Sequence, residues 1–186
     1  SVCIPPCYVK RAHDYVDGKM AICTVIGFPL GYNTTAVKVF ETKTYMDLGC
    51  DEIDMWMNIA AFKNSEFDYV VKDIQAVKNA MLPGHNLKVI IEPAILTEEQ
   101  IETAVKCVID GGADFVKAGT GFLGVCTLRH AHLMLRAANE KVKVKCSGGI
   151  RDVETVKEMI DMGVARIGMG VESSLKIYKA LCAEND

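Results

Sequence analysis

The stretch Ala113-Asp-Phe-Val-Lys-Ala-Gly-Thr-Gly-Phe122 joins a short apolar run to a turn that contains two glycines. The run has no long alternation of apolar and polar residues, which is typical of a parallel strand covered on both faces. Amphipathic helices are predicted on either side of it, over Thr97–Asp110 and Thr127–Glu140. Helix, strand, polar loop and helix therefore follow one another in the order of a β/α unit.

The same order repeats along the chain. Strands are predicted at Ser1–Ile4, Ala21–Ile26, Glu52–Met57, Lys88–Ile91, Asp114–Ala118, Val142–Cys146 and Ala165–Gly168. Further helices are predicted at Thr34–Leu48, Glu66–Met81, Asp152–Met162 and Ser173–Ala183. We therefore expect one α/β domain over residues 1–186, either a TIM (β/α)8-type parallel barrel or a doubly wound sheet. A TIM barrel has eight strands, so the barrel interpretation implies that the first strand and helix are missing.

Composition limits the function classes. Half of the 186 residues are hydrophobic and 24% are charged, which is ordinary for a soluble protein. The formal net charge of −3 does not indicate a nucleic-acid-binding surface. No apolar run approaches the roughly 18–20 residues of a membrane span, and the N-terminus has no secretion signal. The eight cysteines form no C-x-x-C pair, so we expect reduced thiols in a cytoplasmic protein rather than disulfides or zinc ligands.

Two lysines, Lys117 and Lys145, each end an apolar strand and precede a glycine-containing turn. In a barrel these positions lie at the C-terminal face, where active sites form. A strand-end lysine can also simply extend to solvent, but two with the same placement favour a shared role. An amine attacks a carbonyl only when uncharged, and burial and a nearby ammonium both favour the uncharged form. The pair thus predicts a nucleophilic lysine and a neighbour that activates it.

A carboxylate accompanies the lysines. In Asp51-Glu-Ile-Asp-Met-Trp-Met-Asn58 the polar face carries Glu52, Asp54, Trp56 and Asn58. If the apolar face packs on helices, Asp54 is buried, which is costly unless the carboxylate is paired or used. We expect it to pair with a lysine, to relay protons, or both; a purely structural ion pair is the alternative.

Two glycine-containing turns precede the last helices. They are Ser147-Gly-Gly-Ile-Arg151, with Gly148 and Gly149, and Ile167-Gly-Met-Gly170, with Gly168 and Gly170. Loops after the last two strands of a barrel commonly bind phosphate through backbone N–H groups and helix N-termini. Such turns are also common for steric reasons alone.

Taken together, these residues resemble the deoxyribose-phosphate aldolase family. The similar motifs are Thr24-Val-Ile-Gly-Phe-Pro-Leu-Gly31, Asp51-Glu-Ile-Asp54, Lys88-Val-Ile-Ile-Glu92, Ala113-Asp-Phe-Val-Lys117, Thr120-Gly-Phe122 and Val144-Lys145 with Ser147-Gly-Gly-Ile-Arg151. The resemblance runs from Ser1 to about Lys179. It implies a TIM barrel that reversibly cleaves 2-deoxyribose 5-phosphate, or a related sugar, to glyceraldehyde 3-phosphate and acetaldehyde.

The resemblance also implies roles. The residue matching Lys117 forms the Schiff base, the one matching Lys145 perturbs it, and the one matching Asp54 takes part in proton transfer. The implied substrate contacts are Thr120, Gly121, Gly148, Gly149, Gly168 and Gly170. No metal or other cofactor is implied, and the partners are a sugar or sugar-phosphate substrate and possible further copies of the chain, with no nucleic acid or membrane.

The chain departs from the family pattern near the substrate. Ala118-Gly119 replaces the usual Thr-Ser after the Schiff-base lysine, and Pro93 replaces a threonine. The Ser-Ser pair that holds phosphate is absent from Gly168-Met-Gly-Val-Glu172, and Trp56 replaces a small aliphatic residue. The alternatives are therefore a truncated or diverged non-catalytic barrel, or another phosphosugar enzyme such as an isomerase, although an isomerase needs no lysine pair.

Overall fold

A computed structural model describes residues 1–183, which fall into two compact units. The first comprises residues 1–90 and 106–115, and the second comprises residues 91–105 and those from 116 onward. The prediction of one domain over 1–186 stays a prediction. No helix of the described residues is long and apolar enough to cross a membrane.

The first unit is built on parallel strands in chain order. Its strands are β1 (Val2–Cys3), β2 (Ile22–Ile26), β3 (Glu52–Trp56) and β4 (Asn86–Ile90). Its helices are α1 (Val9–Val16), α2 (Thr35–Asp47), α3 (Ile59–Lys63) and α4 (Phe67–Ala80). The register pairs Cys3 with Cys23, and Asp54 with Lys88. Ile22, Ile53, Met55 and Leu87 are fully buried, so the strands supply much of the core.

The second unit continues the alternation. Its strands are β6 (Lys143–Ser147), β7 (Arg166–Gly168) and, from residue 116 onward, β5 (Phe115–Lys117). Its helices are α6 (Leu128–Ala138), α7 (Val153–Asp161), α8 (Val171–Ala183) and, up to residue 105, α5 (Glu98–Asp110). Strands β6 and β7 are parallel, with Lys145 beside Arg166. Val116, Ala118, Met134 and Cys146 are fully buried and form part of its core.

The predicted helix starts agree with the hydrogen bonds. The side chain of Gln100 accepts a bond from Thr97 N at 3.1 Å, and Thr97 Oγ1 accepts one from Gln100 N at 3.2 Å. The side chains of Thr127 and Asp152 cap α6 and α7. These bonds satisfy N–H groups that have no partner within the helix, which explains why each helix begins there.

Helices α1 and α3 were not predicted. Helix α1 has eight mostly polar residues and buries only Val9. Helix α3 has five residues, and the side chain of Asn58 caps it by accepting a bond from Ala61 N at 3.0 Å. Both are too short or too polar for a pattern of buried residues to reveal them.

One ion pair of the first unit is completely buried. Lys38 Nζ of α2 lies 2.5 Å from Asp73 Oδ2 of α4, and Asp73 Oδ1 accepts a bond from Thr35 Oγ1 at 2.6 Å. Burial lowers the pKa of Lys38, and the charge of Asp73 acts in the opposite direction. This pair links the two helices through groups that have no access to water.

Candidate active site

Lys117 and Lys145 lie side by side in the second unit. Ala118 N donates to Lys145 O at 2.9 Å, and in a parallel ladder this bond sets Lys117 beside Lys145 on strands roughly 4.8 Å apart. The lysines are only 7% and 6% exposed. Simple extension of two strand-end lysines into solvent is therefore excluded, and two cationic groups share a mostly desolvated region.

Glu92 adds a buried carboxylate to this unit. Its Oε1 accepts bonds from Thr120 N at 2.9 Å and Thr120 Oγ1 at 2.8 Å. Its Oε2 is buried and has no hydrogen-bond partner among the described residues. Burial raises the pKa of Glu92, while the bonds from Thr120 and the charge of Lys117 oppose the rise. Thr120, a predicted substrate contact, is therefore positioned by Glu92.

The backbone at Glu92 is strained. Its φ is 50°, in the left-handed region that non-glycine residues rarely adopt. The turn into Pro93 is held by Glu92 N, which donates to Ala118 O at 3.1 Å. A Cβ on Gly119 would lie 2.9 Å from Glu92 Oε2, so a side chain at position 119 would displace the carboxylate. The exchange of the family's serine for Gly119 thus leaves room for Glu92 as it is placed here.

Three of the predicted glycine contacts, Gly121, Gly148 and Gly149, lie close together in the second unit, whereas Gly168 approaches Ser147 and Lys145, and a Cβ on Gly170 would meet no atom within 4 Å. A Cβ on Gly148 would lie 2.9 Å from Gly121 N, and one on Gly149 would lie 2.5 Å from Val125 Cγ1. Both glycines have positive φ values, 102° and 78°. Close approach of two loops therefore explains why glycine stands at 148 and 149, and their contact with phosphate stays a prediction.

The two predicted phosphate-binding helix ends differ. Asp152 already caps α7 by accepting a bond from Thr155 N at 2.8 Å, and this bond is the first cause that lowers the pKa of Asp152. A second anion is disfavoured there because the Asp152 carboxylate already occupies the helix end. Helix α8 begins at Val171, directly after Gly170, with the exposed Glu172 in its first turn. Of the two, the α8 end is the better candidate for phosphate.

Asp54 lies in the first unit, where it is paired with Lys88. Lys88 Nζ lies 3.0 Å from Asp54 Oδ1 and 2.9 Å from Glu52 Oε2, and all three side chains are buried. Burial acts to lower the pKa of Lys88, but the charge of Asp54 and the other nearby groups raise it overall. The prediction that Asp54 pairs with a lysine is confirmed, while its part in proton transfer stays a prediction.

Trp56 is also in the first unit, 1% exposed, with its ring edge-to-face against Phe28 at 5.2 Å. Its Nε1 is buried and has no hydrogen-bond partner among the described residues. A buried indole N–H without an acceptor is uncommon.

The sequence alone gave neither Lys88 nor Glu92 a role in the predicted site. Both stand in Lys88-Val-Ile-Ile-Glu92, which was compared with the family only as a motif. A sequence signal was available. Lys88 lies within an apolar strand, and the strand before it carries two acidic residues on one face. A lysine at that position needs a buried partner, and Glu52 and Asp54 were the available ones.

Comparison with known proteins places these features in context. The family model of the DeoC/LacD family aldolases matches residues 1–180. The deoxyribose-phosphate aldolase of Clostridioides difficile (strain 630) is 44% identical over 180 residues, which cover 96% of this chain and 81% of that protein.

Solved structures give the same picture. The aldolase QR15 is 42% identical with a TM-score of 0.85, over 90% of this chain and 76% of its own. The deoxyribose phosphate aldolase from Aeropyrum pernix, described as a tetramer, is 26% identical with a TM-score of 0.86, over 96% of this chain and 76% of its own. These similarities confirm the predicted α/β fold of the TIM-barrel type.

Proposed function

The chain belongs to the DeoC/LacD aldolase family and is a carbon–carbon lyase. We propose that it cleaves 2-deoxyribose 5-phosphate through a Schiff base formed by Lys117. The products are glyceraldehyde 3-phosphate and acetaldehyde, and the reaction is reversible. The observation that carries the proposal is the adjacent placement of Lys117 and Lys145, both nearly buried.

The lysine pair suits the first step. Nζ of Lys117 attacks the carbonyl carbon of the open-chain sugar, and loss of water leaves a protonated imine. The attack requires an uncharged amine, and Lys145 lies beside Lys117 in the same poorly exposed region. Lys145 is therefore proposed as the residue that activates Lys117.

The imine then serves as the electron sink. A base removes the proton from the C3 hydroxyl, the C2–C3 bond breaks, and its electron pair moves into the imine to give an enamine. C3 becomes the aldehyde of glyceraldehyde 3-phosphate. A proton added at C2 restores the imine, and water releases acetaldehyde and free Lys117. We assign Asp54 to proton transfer in this sequence, in accord with the family resemblance.

Further assignments concern the substrate contacts, cofactors, assembly and location. Thr120, Gly121, Gly148, Gly149, Gly168 and Gly170 are proposed as substrate contacts. Because Lys117 itself forms the electron sink, the proposed reaction uses no metal or organic cofactor. A homo-oligomer and a cytoplasmic location are part of the proposal; the Aeropyrum pernix relative is described as a tetramer.

Reductive trapping tests the proposal. The protein is incubated with acetaldehyde and borohydride, and the adduct is located by mass spectrometry of peptides. We expect one adduct, on Lys117, and none on that peptide in Lys117→Ala. Lys143→Ala is the matched control, because Lys143 lies on the neighbouring strand β6 but is exposed. Undiminished trapping in folded Lys117→Ala would refute the assignment.

The non-catalytic alternative gives a different result. A diverged barrel that only binds sugars would remain folded and form no adduct with acetaldehyde or with the deoxysugar phosphate. An isomerase would convert a phosphosugar without a trapped lysine. Formation of acetaldehyde from 2-deoxyribose 5-phosphate excludes both.

A further inference from the structure

Three potential metal-ligand atoms converge in the first unit. The Sγ atoms of Cys3 and Cys23 and a carboxylate oxygen of Asp54 all lie within 4.8 Å of one another. Cys23 Sγ is 3.3 Å from Asp54 Oδ1, and Cys3 Sγ is 3.9 Å from Asp54 Oδ2. The register of β1 and β2 produces the cluster, because it pairs Cys3 directly with Cys23. The two thiols thus come from neighbouring strands, which sequence spacing could not reveal.

The spacing suits a tetrahedral cation. Zinc binds cysteine sulfur at about 2.3 Å and carboxylate oxygen at about 2.0–2.2 Å, so its ligand atoms stand roughly 3.3–3.8 Å apart. The two sulfur–oxygen distances, 3.3 Å to Oδ1 and 3.9 Å to Oδ2 of Asp54, are close to that range but end on different oxygens. One ligand atom from each residue lies within 4.8 Å of the other two, so a rotation of the carboxylate and a small approach of the sulfurs would let the three side chains share one ion.

We propose that Cys3, Cys23 and Asp54 form a binding site for a thiophilic divalent cation, with Zn²⁺ as the preferred ion. Two thiolates select such ions over magnesium or calcium, which prefer oxygen ligands. Three protein ligands leave the fourth tetrahedral position to water. On binding, each thiol loses its proton to solvent, and two Zn–S bonds and one Zn–O bond form.

Lys88 supplies the charge that such a site requires. A divalent cation with two thiolates and one carboxylate carries one net negative charge. Lys88 Nζ lies 3.5 Å from Cys23 Sγ and 3.0 Å from Asp54 Oδ1, so its ammonium can donate to the thiolate and offset that charge. Hydrogen bonds of this kind to metal ligands orient them and tune the affinity of the site.

The exposure of the three ligands allows an ion to enter the site from solvent. Cys23 and Asp54 are 1% and 0% exposed, whereas Cys3 is an exposed thiol. An ion can first meet Cys3 and then reach the buried ligands. The inference does not rest on the proposed aldolase activity, because it concerns binding alone. It does imply that the Asp54 carboxylate is shared between the ion and Lys88, and that a bound ion would hinder the proton transfer assigned to Asp54.

Cobalt substitution tests the site in the intact chain. The protein is reduced with a phosphine and titrated with Co²⁺, then with Zn²⁺. We expect one equivalent of Co²⁺ with thiolate charge-transfer and tetrahedral d–d bands, and displacement of both bands by Zn²⁺. Cys3→Ala and Cys23→Ala should each weaken binding by more than the roughly 10–100-fold typical of outer-shell changes.

Two cysteines serve as matched controls. Cys7 is exposed like Cys3, and Cys50 is buried like Cys23 but directs its Sγ at the carbonyl oxygens of Ile22 and Glu52. Alanine at either position should leave the titration unchanged. A variant-free check uses alkylation: Zn²⁺ should protect Cys3 and leave Cys7 reactive. Absence of thiolate–cobalt bands in the unaltered chain, or equal alkylation of Cys3 with and without Zn²⁺, would overturn the inference.

Discussion

The ammonium of Lys88 lies 3.0 Å from Oδ1 of Asp54, and neither side chain is exposed to solvent. Each ion makes the burial of the other tolerable, since an unpaired charge in this position would have no water to solvate it. Removing either partner therefore has consequences for stability as well as for chemistry.

Lys88→Met should strongly destabilise the protein. The substitution keeps a long apolar side chain but leaves Asp54 and Glu52 as uncompensated buried carboxylates. Loss of one partner of a buried ion pair lowers the free energy of unfolding by about 3–5 kcal/mol. Urea unfolding would show this loss as a lower midpoint concentration. Lys78→Met is the control, because Lys78 pairs with Asp114 at 2.5 Å but both side chains are about a third exposed, 29% and 32%. A loss no larger than that of the control would contradict the structural role.

Lys145→Ala should slow borohydride trapping at neutral pH without moving the adduct from Lys117. The reason is that Lys145 lies beside Lys117 on the neighbouring strand and is the proposed activating group. The rate of trapping is measured at one neutral pH for each protein. Lys143→Ala, at the exposed position of the same strand, should be trapped as fast as the unaltered protein. An unchanged trapping rate in Lys145→Ala would contradict the activating role of Lys145.

Glu92→Gln should change how stability depends on pH. The pKa of Glu92 is raised from 4.5, first by burial, so the folded state holds this proton more tightly than the unfolded state. Its contribution to stability is thus fully present below 4.5 and is lost as the pH rises through the folded pKa. Glutamine stays neutral and can still accept the bonds from Thr120.

Urea midpoints at several pH values compare the two proteins. The Gln variant should gain stability relative to the unaltered chain as the pH increases above 4.5. Glu158→Gln, at an exposed position, controls for the loss of one carboxylate. If the stability difference between Glu92→Gln and the unaltered chain stays constant or shrinks with rising pH, the predicted direction of the pH effect is wrong.

The terminal phosphate of the substrate should raise kcat/KM less in this chain than in family members that have the Ser-Ser pair. Each lost hydrogen bond to a charged group costs about 1.5–3 kcal/mol, so loss of two hydroxyl donors weakens phosphate binding by about two orders of magnitude or more. The measurement is kcat/KM for 2-deoxyribose against its 5-phosphate. A preference as large as that of those relatives would show that other groups replace the serines.

Glu172→Gln should partly restore phosphate preference. Glu172 lies in the first turn of α8, where a negative charge repels an anion at the helix N-terminus. Like charges about 4 Å apart in water repel by about 1 kcal/mol, so the gain should not exceed about fivefold at this exposed position. Glu154→Gln makes the same change in the first turn of α7 and should have no effect.

The sequence patterns predicted local features well. The apolar runs identified the strands, and the residues at their ends identified Lys117 and Lys145, because strand direction and side-chain alternation are local properties. The helix caps at Thr97, Thr127 and Asp152 were predictable for the same reason.

Several features that depend on register between strands were not predicted. The pairing of Lys88 with Asp54 and the approach of Cys3 to Cys23 arise from residues distant in sequence. The strained turn at Glu92 likewise gave no composition signal, since non-glycine residues seldom adopt its φ. Prediction therefore succeeded for single strands and failed for most contacts across them.

The pair of Lys38 and Asp73 has a consequence for local motions. Helices α2 and α4 cannot separate without exposing two charges that are fully buried and 2.5 Å apart in the folded state. Amide hydrogens of the two helices should therefore exchange with deuterium through a common opening event, as one cooperative unit, rather than by independent fraying. Among the described residues, the short helix α1 buries only Val9 and forms no buried ion pair, so its amide hydrogens should exchange earlier.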